Sequence, residues 1–151
     1  MLETVIWDIE IRQIEFGTDE YKKELELRDK ILRKPLGLNI FDDALENEVN
    51  DYHIGAFVNN VLVGTLVLTV LNDTEIKMRQ VVAEESLRGN SIGSKLVIYA
   101  EELAKRLGYK KMLLNSRKTA VRFYEKLNYE KASEEFVEVT IPHYKMQKKL
   151  E

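Results

Sequence analysis

The sequence predicts a single α/β domain over residues 1–151, with a largely antiparallel central sheet and helices on its faces. Three observations predict it. The run HIGAFVNNVLVGTLVLTVLNDTEIKMRQVVA, from His53 to Ala83, holds three β-rich stretches broken at Asn59-Asn60 and Asn72-Asp73, the pattern of a meander. A long amphipathic helix follows, with Ile92, Leu96, Ala100, Leu103 and Leu107 on one face. After it come a further strand, a further helix and two terminal strands.

Taken in order, VIWDIEI (Val5–Ile11) alternates like a first strand. Thr18 precedes Asp19 and Glu20, and Tyr21, Leu25 and Leu32 share one face. That predicts a capped helix ending near Pro35 and Gly37. Asp42–Val49 predicts a second short helix. The two Asn-containing turns suit the meander because Asn and Asp tolerate positive φ, which short hairpins need. The central helix starts at Ser91 or just after it and stops at Gly108. Lys111–Asn115 is a further strand, and Thr119–Leu127 a helix with Asn128 as its left-handed cap. Tyr129–Val137 and His143–Leu150 are the last strands. Pro142 marks a boundary or irregularity between them rather than the middle of a ladder.

Composition narrows the function. With 151 residues the chain is long enough to bury a core without staples. A formal net charge of −3, with both signs interspersed, argues against a nucleic acid or an anionic membrane as partner. There are no cysteines, which excludes disulfides, thiolate metal sites and a cysteine nucleophile. The two histidines, His53 and His143, lie far apart, and no metal-binding spacing is visible, so no metal is expected. The N-terminus lacks the features of a signal peptide, and no apolar run approaches the ~20 residues of a membrane span. A cytoplasmic protein is the expectation.

The chemistry concentrates in MRQVVAEESLRGNSIGSKL, where a buried strand passes through a small-residue loop into a helix. Unsatisfied N–H groups and the positive end of a helix dipole converge there, a setting that attracts phosphate. Gly89 and Gly93 remove side chains where a ligand must approach backbone. Asn90 and Ser91 favour turn and cap geometry, and Arg88 adds a charge-assisted contact. The plainer alternative is a turn that merely joins strand to helix. Neither G-x-x-x-x-G-K-[ST] nor G-x-G-x-x-G occurs.

The loop resembles motif A of the GNAT superfamily of N-acetyltransferases, [RQ]-x-x-G-x-[GA] after a strand. Arg88, Gly89, Asn90, Ser91, Ile92 and Gly93 occupy its six positions. Ser91 departs from the pattern, standing where Gly or Ala is usual. A second segment, LLNSRKTAVRFYEKLNY, is similar to the superfamily's strand-end Asn, helix-start Ala and FYEKLGF. Asn115, Ala120, Phe123, Tyr124 and Tyr129 match it, and Asn128 replaces the glycine. The ending FVEVTIPHYKMQKKL is similar to a small ElaA-like subgroup. The resemblance runs from about Ile54 to the C-terminus.

That resemblance implies a mixed sheet with one splayed parallel strand pair, formed by the strands ending at Ala83 and Asn115. It implies acetyl-CoA as cosubstrate and an amine, small-molecule or peptide, as acceptor. Val81, Val82 and Ala83 would bind the pantetheine arm through backbone, and Arg88, Gly89, Asn90, Ser91, Ile92, Gly93 and Ser94 would hold the pyrophosphate. Asn115 would contact the cofactor, or else simply ends its strand. Tyr124 would protonate the departing thiolate, or else packs helix on sheet. Glu135, Glu138 and His143 are candidates for the general base, His143 on a strand where it need not be buried. Arg79 and Gln80 either orient substrate or face solvent. A catalytically silent acyl-CoA-binding or sensing domain, and a nucleotide-binding domain unrelated to acyl transfer, are the competing readings. A homodimer through an antiparallel edge or the C-terminal strand stays open.

Overall fold

The computed structural model describes residues 8–84 and 91–151. Its eight strands form one sheet in the order β1-β2-β3-β4-β5-β8-β6, with β7 beside β8. They are β1 Ile9–Ile14, β2 Tyr52–Val58, β3 Val61–Val70, β4 Glu75–Ala83, β5 Lys111–Arg117, β6 Glu130–Lys131, β7 Phe136–Glu138 and β8 Ile141–Lys149. The α-helices are α1 Asp19–Arg28, α2 Ile92–Arg106 and α3 Val121–Lys126. The pairings of β1 with β2 and of β8 with β5, β6 and β7 are antiparallel, and that of β4 with β5 is parallel. The chain divides into two compact units, the described residues of Met1–Val67 with Gln80–Tyr99, and Leu68–Arg79 with Ala100–Glu151.

In the first unit β1 pairs with β2 from Ile9↔Val58 to Ile14↔His53. The first strand thus lies later than Val5–Ile11, its pairing with β2 running on past Ile11 to Ile14; residues 1–7 are outside the described set. Thr18 caps α1 as expected, its Oγ1 accepting from Tyr21 N at 3.3 Å. The α-helix nevertheless ends at Arg28 rather than near Pro35. The chain stays wound through a wider turn over Asp29–Arg33 and a tight one over Lys34–Leu36, until Gly37 at φ 73° stops it. Two tertiary bonds explain the change: Asp29 Oδ1 accepts from Ile40 N at 2.8 Å, and Arg33 pairs with Asp43 at 3.0 Å. In place of the expected helix over Asp42–Val49 there are two tight turns, Ile40–Asp42 and Leu45–Asn50. Ile14, Tyr21, Leu25, Ile40 and Phe57 form the core beside them. Consecutive buried residues, His53–Phe57 on β2 and Val63–Val67 on β3, show strands covered on both faces. Asn59 and Asn60, at φ 50° and 65°, make the left-handed turn their sequence predicts.

In the second unit the turn at Asn72 works differently from the expectation. Neither Asn72 nor Asp73 is among the residues with positive φ; Asn72 Oδ1 instead accepts from Thr74 N and Glu75 N at 3.0 and 2.9 Å. Gly108 at φ 94° ends α2, and Asn128 at φ 73° ends α3, as read. A tight turn over Lys118–Ala120 precedes α3, which is shorter than Thr119–Leu127. Tyr129–Val137 is two short strands rather than one, both paired with β8. Pro142 sits inside β8, opposite Val137 and one residue from the β7–β8 turn. That turn is Val139-Thr140, both left-handed at φ 50° and 64°, a costly conformation for β-branched residues.

Candidate active site

In the first unit, Val82 is buried on β4 while Val81 and Ala83 are half-buried. The expected phosphate residues Arg88, Gly89 and Asn90 lie outside the described residues. Ser91 is exposed, and its carbonyl accepts from Lys95 N at 3.0 Å, so the helical ladder of α2 begins there. The N–H groups of Ile92, Gly93 and Ser94 therefore belong to a first turn that has no acceptors within the helix. Ser91 itself is left-handed at φ 59°. This gives the glycine usual at that position a physical reason, and the serine here carries a cost of roughly 1 kcal/mol.

Gly64 on β3 sets how closely α2 approaches the sheet. A Cβ there would stand 2.8 Å from Ile92 Cγ2, 3.0 Å from Leu96 Cδ1 and 3.0 Å from Val82 O. The sequence reading missed this residue. Its signal was a lone glycine inside the strand VLVGTLVL, which marks a close backbone approach.

The parallel pairing of β4 with β5 runs from Glu75↔Lys111 to Met78↔Leu114 and ends there. Both strands go on, and β5 keeps its other neighbour, β8, through Arg117↔His143. Immediately past the end stands Asn115, half-buried, whose Nδ2 donates to Glu138 Oε1 at 3.0 Å. On the same sheet face, Lys77 is held below the usual lysine range, chiefly by desolvation and also by Arg79 and Lys145, against the opposing pull of Glu138. Arg79 donates to Thr69 Oγ1 at 3.3 Å.

The three candidate bases separate. Glu135 is exposed, paired with Lys118 at 3.0 Å, and that hydrogen bond holds its carboxyl below the usual range. His143 is buried, against the expectation that it need not be, because its ring stacks on Phe136 with centroids 6.0 Å apart. Its Nδ1 lies 2.7 Å from the Ile141 carbonyl, an acceptor only, which places a proton on Nδ1. Its Nε2 lies 3.6 Å from Glu138 Oε2. Tyr124 is buried on α3 between Phe123 and Tyr129, edge-on to both rings at 5.0 and 5.8 Å. Its hydroxyl makes no hydrogen bond to any described residue, and burial alone pushes it well above the usual phenol range.

A third group was not singled out from the sequence. Arg28, fully buried, donates through Nη1 to Glu24 Oε2 at 2.8 Å and clasps Glu48 through Nη1 and Nη2 at 2.9 and 2.7 Å. His53 Nδ1 lies 2.9 Å from Glu24 Oε2, and its Nε2 3.0 Å from the Glu48 carbonyl. Both ring nitrogens face acceptors, so the geometry suits the imidazolium. Burial pulls the His53 pKa down, yet the Glu24 hydrogen bond and charge, with Glu48, raise it overall. Burial likewise opposes ionisation of Glu48, but the bonds from Arg28 leave its carboxyl below the usual range. Tyr21 donates to Glu48 Oε1 at 2.8 Å. The donor atoms of Glu24, Glu48 and His53 lie within 4.8 Å of one another, a spacing that would suit a metal ion. The Arg28 guanidinium already fills that role, so the set does not fit one. The signal in the sequence was Glu24 and Arg28 on the same helical stripe as Tyr21 and Leu25, charges on an apolar face. Gln80, expected to orient substrate or face solvent, is half-buried and accepts from Arg28 Nε at 3.3 Å.

The model of the acetyltransferase (GNAT) family matches residues 11–129. The chain belongs to this family. The match takes in most of the first third, where the sequence alone offered only a layout. A Bacillus subtilis (strain 168) protein named as an acetyltransferase is 32% identical over 126 residues, 82% of this chain and 85% of its own length. Among solved structures, aminoglycoside 6'-N-acetyltransferase complexed with coenzyme A is similar at TM-score 0.78 and 18% identity, over 93% of this chain and 96% of that one. Escherichia coli ElaA is similar at TM-score 0.78 and 18% identity, over 94% and 99% of the two chains. These two likenesses carry the GNAT fold. The GNAT chain described here is an acyltransferase, and none of its described helices is long and apolar enough to cross a membrane.

Proposed function

We propose that this enzyme transfers an acetyl group from acetyl-CoA to an amine by direct attack. One observation carries the reading: β4 and β5 stop pairing at Met78 and Leu114 while both strands continue. A strand edge released from its neighbour offers N–H and C=O groups that need partners, and the amides of a pantetheine arm supply them. Val81, Val82 and Ala83 are the β4 groups assigned to that arm, with an N–H near Val82 or Ala83 meeting charge on the thioester oxygen. Arg88 to Ser94 are assigned to the pyrophosphate. Within that segment, the open first turn of α2, held against β3 at Gly64, is a fitting anion site. Asn115 is assigned a contact to the cosubstrate.

Tyr124 keeps its proton across the working pH range and donates it to the leaving thiolate. Burial makes the phenol a weaker acid than the free side chain, but a thiolate leaving into the same dry surroundings becomes a stronger base as well. The acceptor arrives as an ammonium and must lose a proton before it has a lone pair to attack with. Glu138 and His143, linked to Asn115, are the groups to receive it; Glu135 is engaged by Lys118. The reading further places the whole chain, 1–151, in one cytoplasmic domain.

The test is thiol release from acetyl-CoA across a panel of primary amines, run beside calorimetric titration of acetyl-CoA, ATP and NAD. Amine-dependent release supports the enzyme as described. Tight acetyl-CoA binding with no release under any amine would make the chain an acyl-CoA sensor instead. Preference for a nucleotide without pantetheine would remove the proposal.

A further inference from the structure

Gln80 is a glutamine in the left-handed region at φ 56°, in the middle of β4 and directly before Val81–Ala83. A non-glycine residue there is strained, and glutamine lacks the short side chain with which Asn or Asp stabilises that conformation locally. Such strain persists only where surrounding structure imposes it, and it gathers at working sites. The Gln80 side chain has a buried, rigid partner. Arg28 Nε donates to Gln80 Oε1 at 3.3 Å, and the guanidinium has no freedom of its own. Three of its other four N–H donors are taken by Glu24 and Glu48, the latter gripped at two points. Glu24 is in turn held by His53, and Glu48 by Tyr21. All of these side chains belong to the first unit, and the bond to Gln80 is the one that reaches β4.

A buried ion cluster is weak evidence for stability, because apolar residues of like volume often serve as well. What a guanidinium offers that a leucine does not is a rigid fork with a donor aimed at one point. We infer that Arg28 is a positioning residue for acyl transfer: through Gln80 it holds the kink in β4 that turns the Val81–Ala83 backbone toward the acetyl group. The inference rests on the proposed role of Val81–Ala83.

The test compares acetyl-CoA with CoA by calorimetry on the full chain, in wild type, Gln80→Ala, Gln80→Gly and Arg28→Lys. The ratio of the two affinities reports contact with the acetyl group and is indifferent to overall stability. Wild type should prefer acetyl-CoA, and Gln80→Ala should reduce that preference about fivefold, the worth of one hydrogen bond. Gln80→Gly should keep it within about twofold, since glycine adopts the left-handed kink without a clamp. A purely structural strand position would rank these two the other way, because glycine weakens a strand more than alanine does. Arg28→Lys, if folded, should lose the preference as Gln80→Ala does. Equal ratios for Ala and Gly, or a better ratio for Ala, would overturn the inference and leave the acyl-donor reading standing. So would a wild type that binds both ligands equally. A wild type that binds neither would sink both together.

Discussion

Replacing Gly64 by alanine tests whether the seat of α2 governs binding of the acyl donor. The new Cβ would stand 2.8 Å from Ile92 Cγ2 and 3.0 Å from both Leu96 Cδ1 and Val82 O. Carbon contacts settle near ~3.5–4.0 Å, so these groups must part by several tenths of an ångström. The Val82 carbonyl belongs to a strand and yields little. The relief therefore falls on the first two turns of α2, which carry Ile92 and Leu96. Overpacking of this kind costs ~1–3 kcal/mol, or roughly 3–10 °C in thermal midpoint for a domain of this size. Moving the N-terminal turn off its seat also weakens its hold on an anion, by about 2–10-fold in the Kd for acetyl-CoA. Differential scanning fluorimetry and calorimetric titration read the two effects on one preparation. A lowered midpoint with an unchanged Kd would refute the link between this contact and the phosphate seat. An unchanged midpoint would show that Ile92 and Leu96 simply repack.

Three further outcomes are expected. Tyr124→Phe should lower kcat by about 10²-fold or more while the acetyl-CoA Kd moves less than about twofold; an equal kcat would return Tyr124 to packing alone. The buried cluster makes stability depend on pH. His53 is raised in the folded state, so its contribution is complete below the ordinary imidazole value and lost as pH climbs through the folded one. Glu48 is lowered, so its contribution is complete above the ordinary carboxylate value and lost as pH falls through the folded one. The thermal midpoint should fall as pH rises above the ordinary imidazole value, and His53→Gln should flatten that limb; a wild-type midpoint that does not fall on that side would contradict it. Finally, Val139→Asn with Thr140→Gly should stabilise the β7–β8 turn by ~0.5–1 kcal/mol, seen as a higher midpoint, and a lower one would show the turn is not strained.

What the sequence disclosed was local. Thr18, Asn59-Asn60, Gly108 and Asn128 each satisfy their own backbone, so residue type and position suffice to read them. The rewinding after Arg28 was hidden because it depends on Asp29 reaching Ile40 and Arg33 reaching Asp43, partners ten or eleven residues away. The Val139-Thr140 turn was hidden for the opposite reason: its residues argue against the conformation that the β7–β8 pairing imposes. At the candidate site, the two motifs placed Tyr124, Asn115 and the start of α2. They said nothing of Gly64, and Gln80 was left between orienting substrate and facing solvent, because the weight of both lies in what approaches them from other strands and helices. Glu24 and Arg28 could have been noticed as charges on an apolar stripe, but only the distant Glu48 and His53 give them partners.

The lone parallel pairing has a bearing on how the chain assembles. The β7–β8 ladder can zip outward from its own turn, whereas Glu75 must wait for Lys111, with the whole of α2 laid down between them. Closing so long a loop costs entropy before the first bond of that ladder returns anything. The seam between β4 and β5 is therefore expected to knit late on the folding route. In exchange labelling its amides should trade protons sooner than those joining β5 to β8, and saturating acyl donor should slow that trade more than at any other ladder of the sheet.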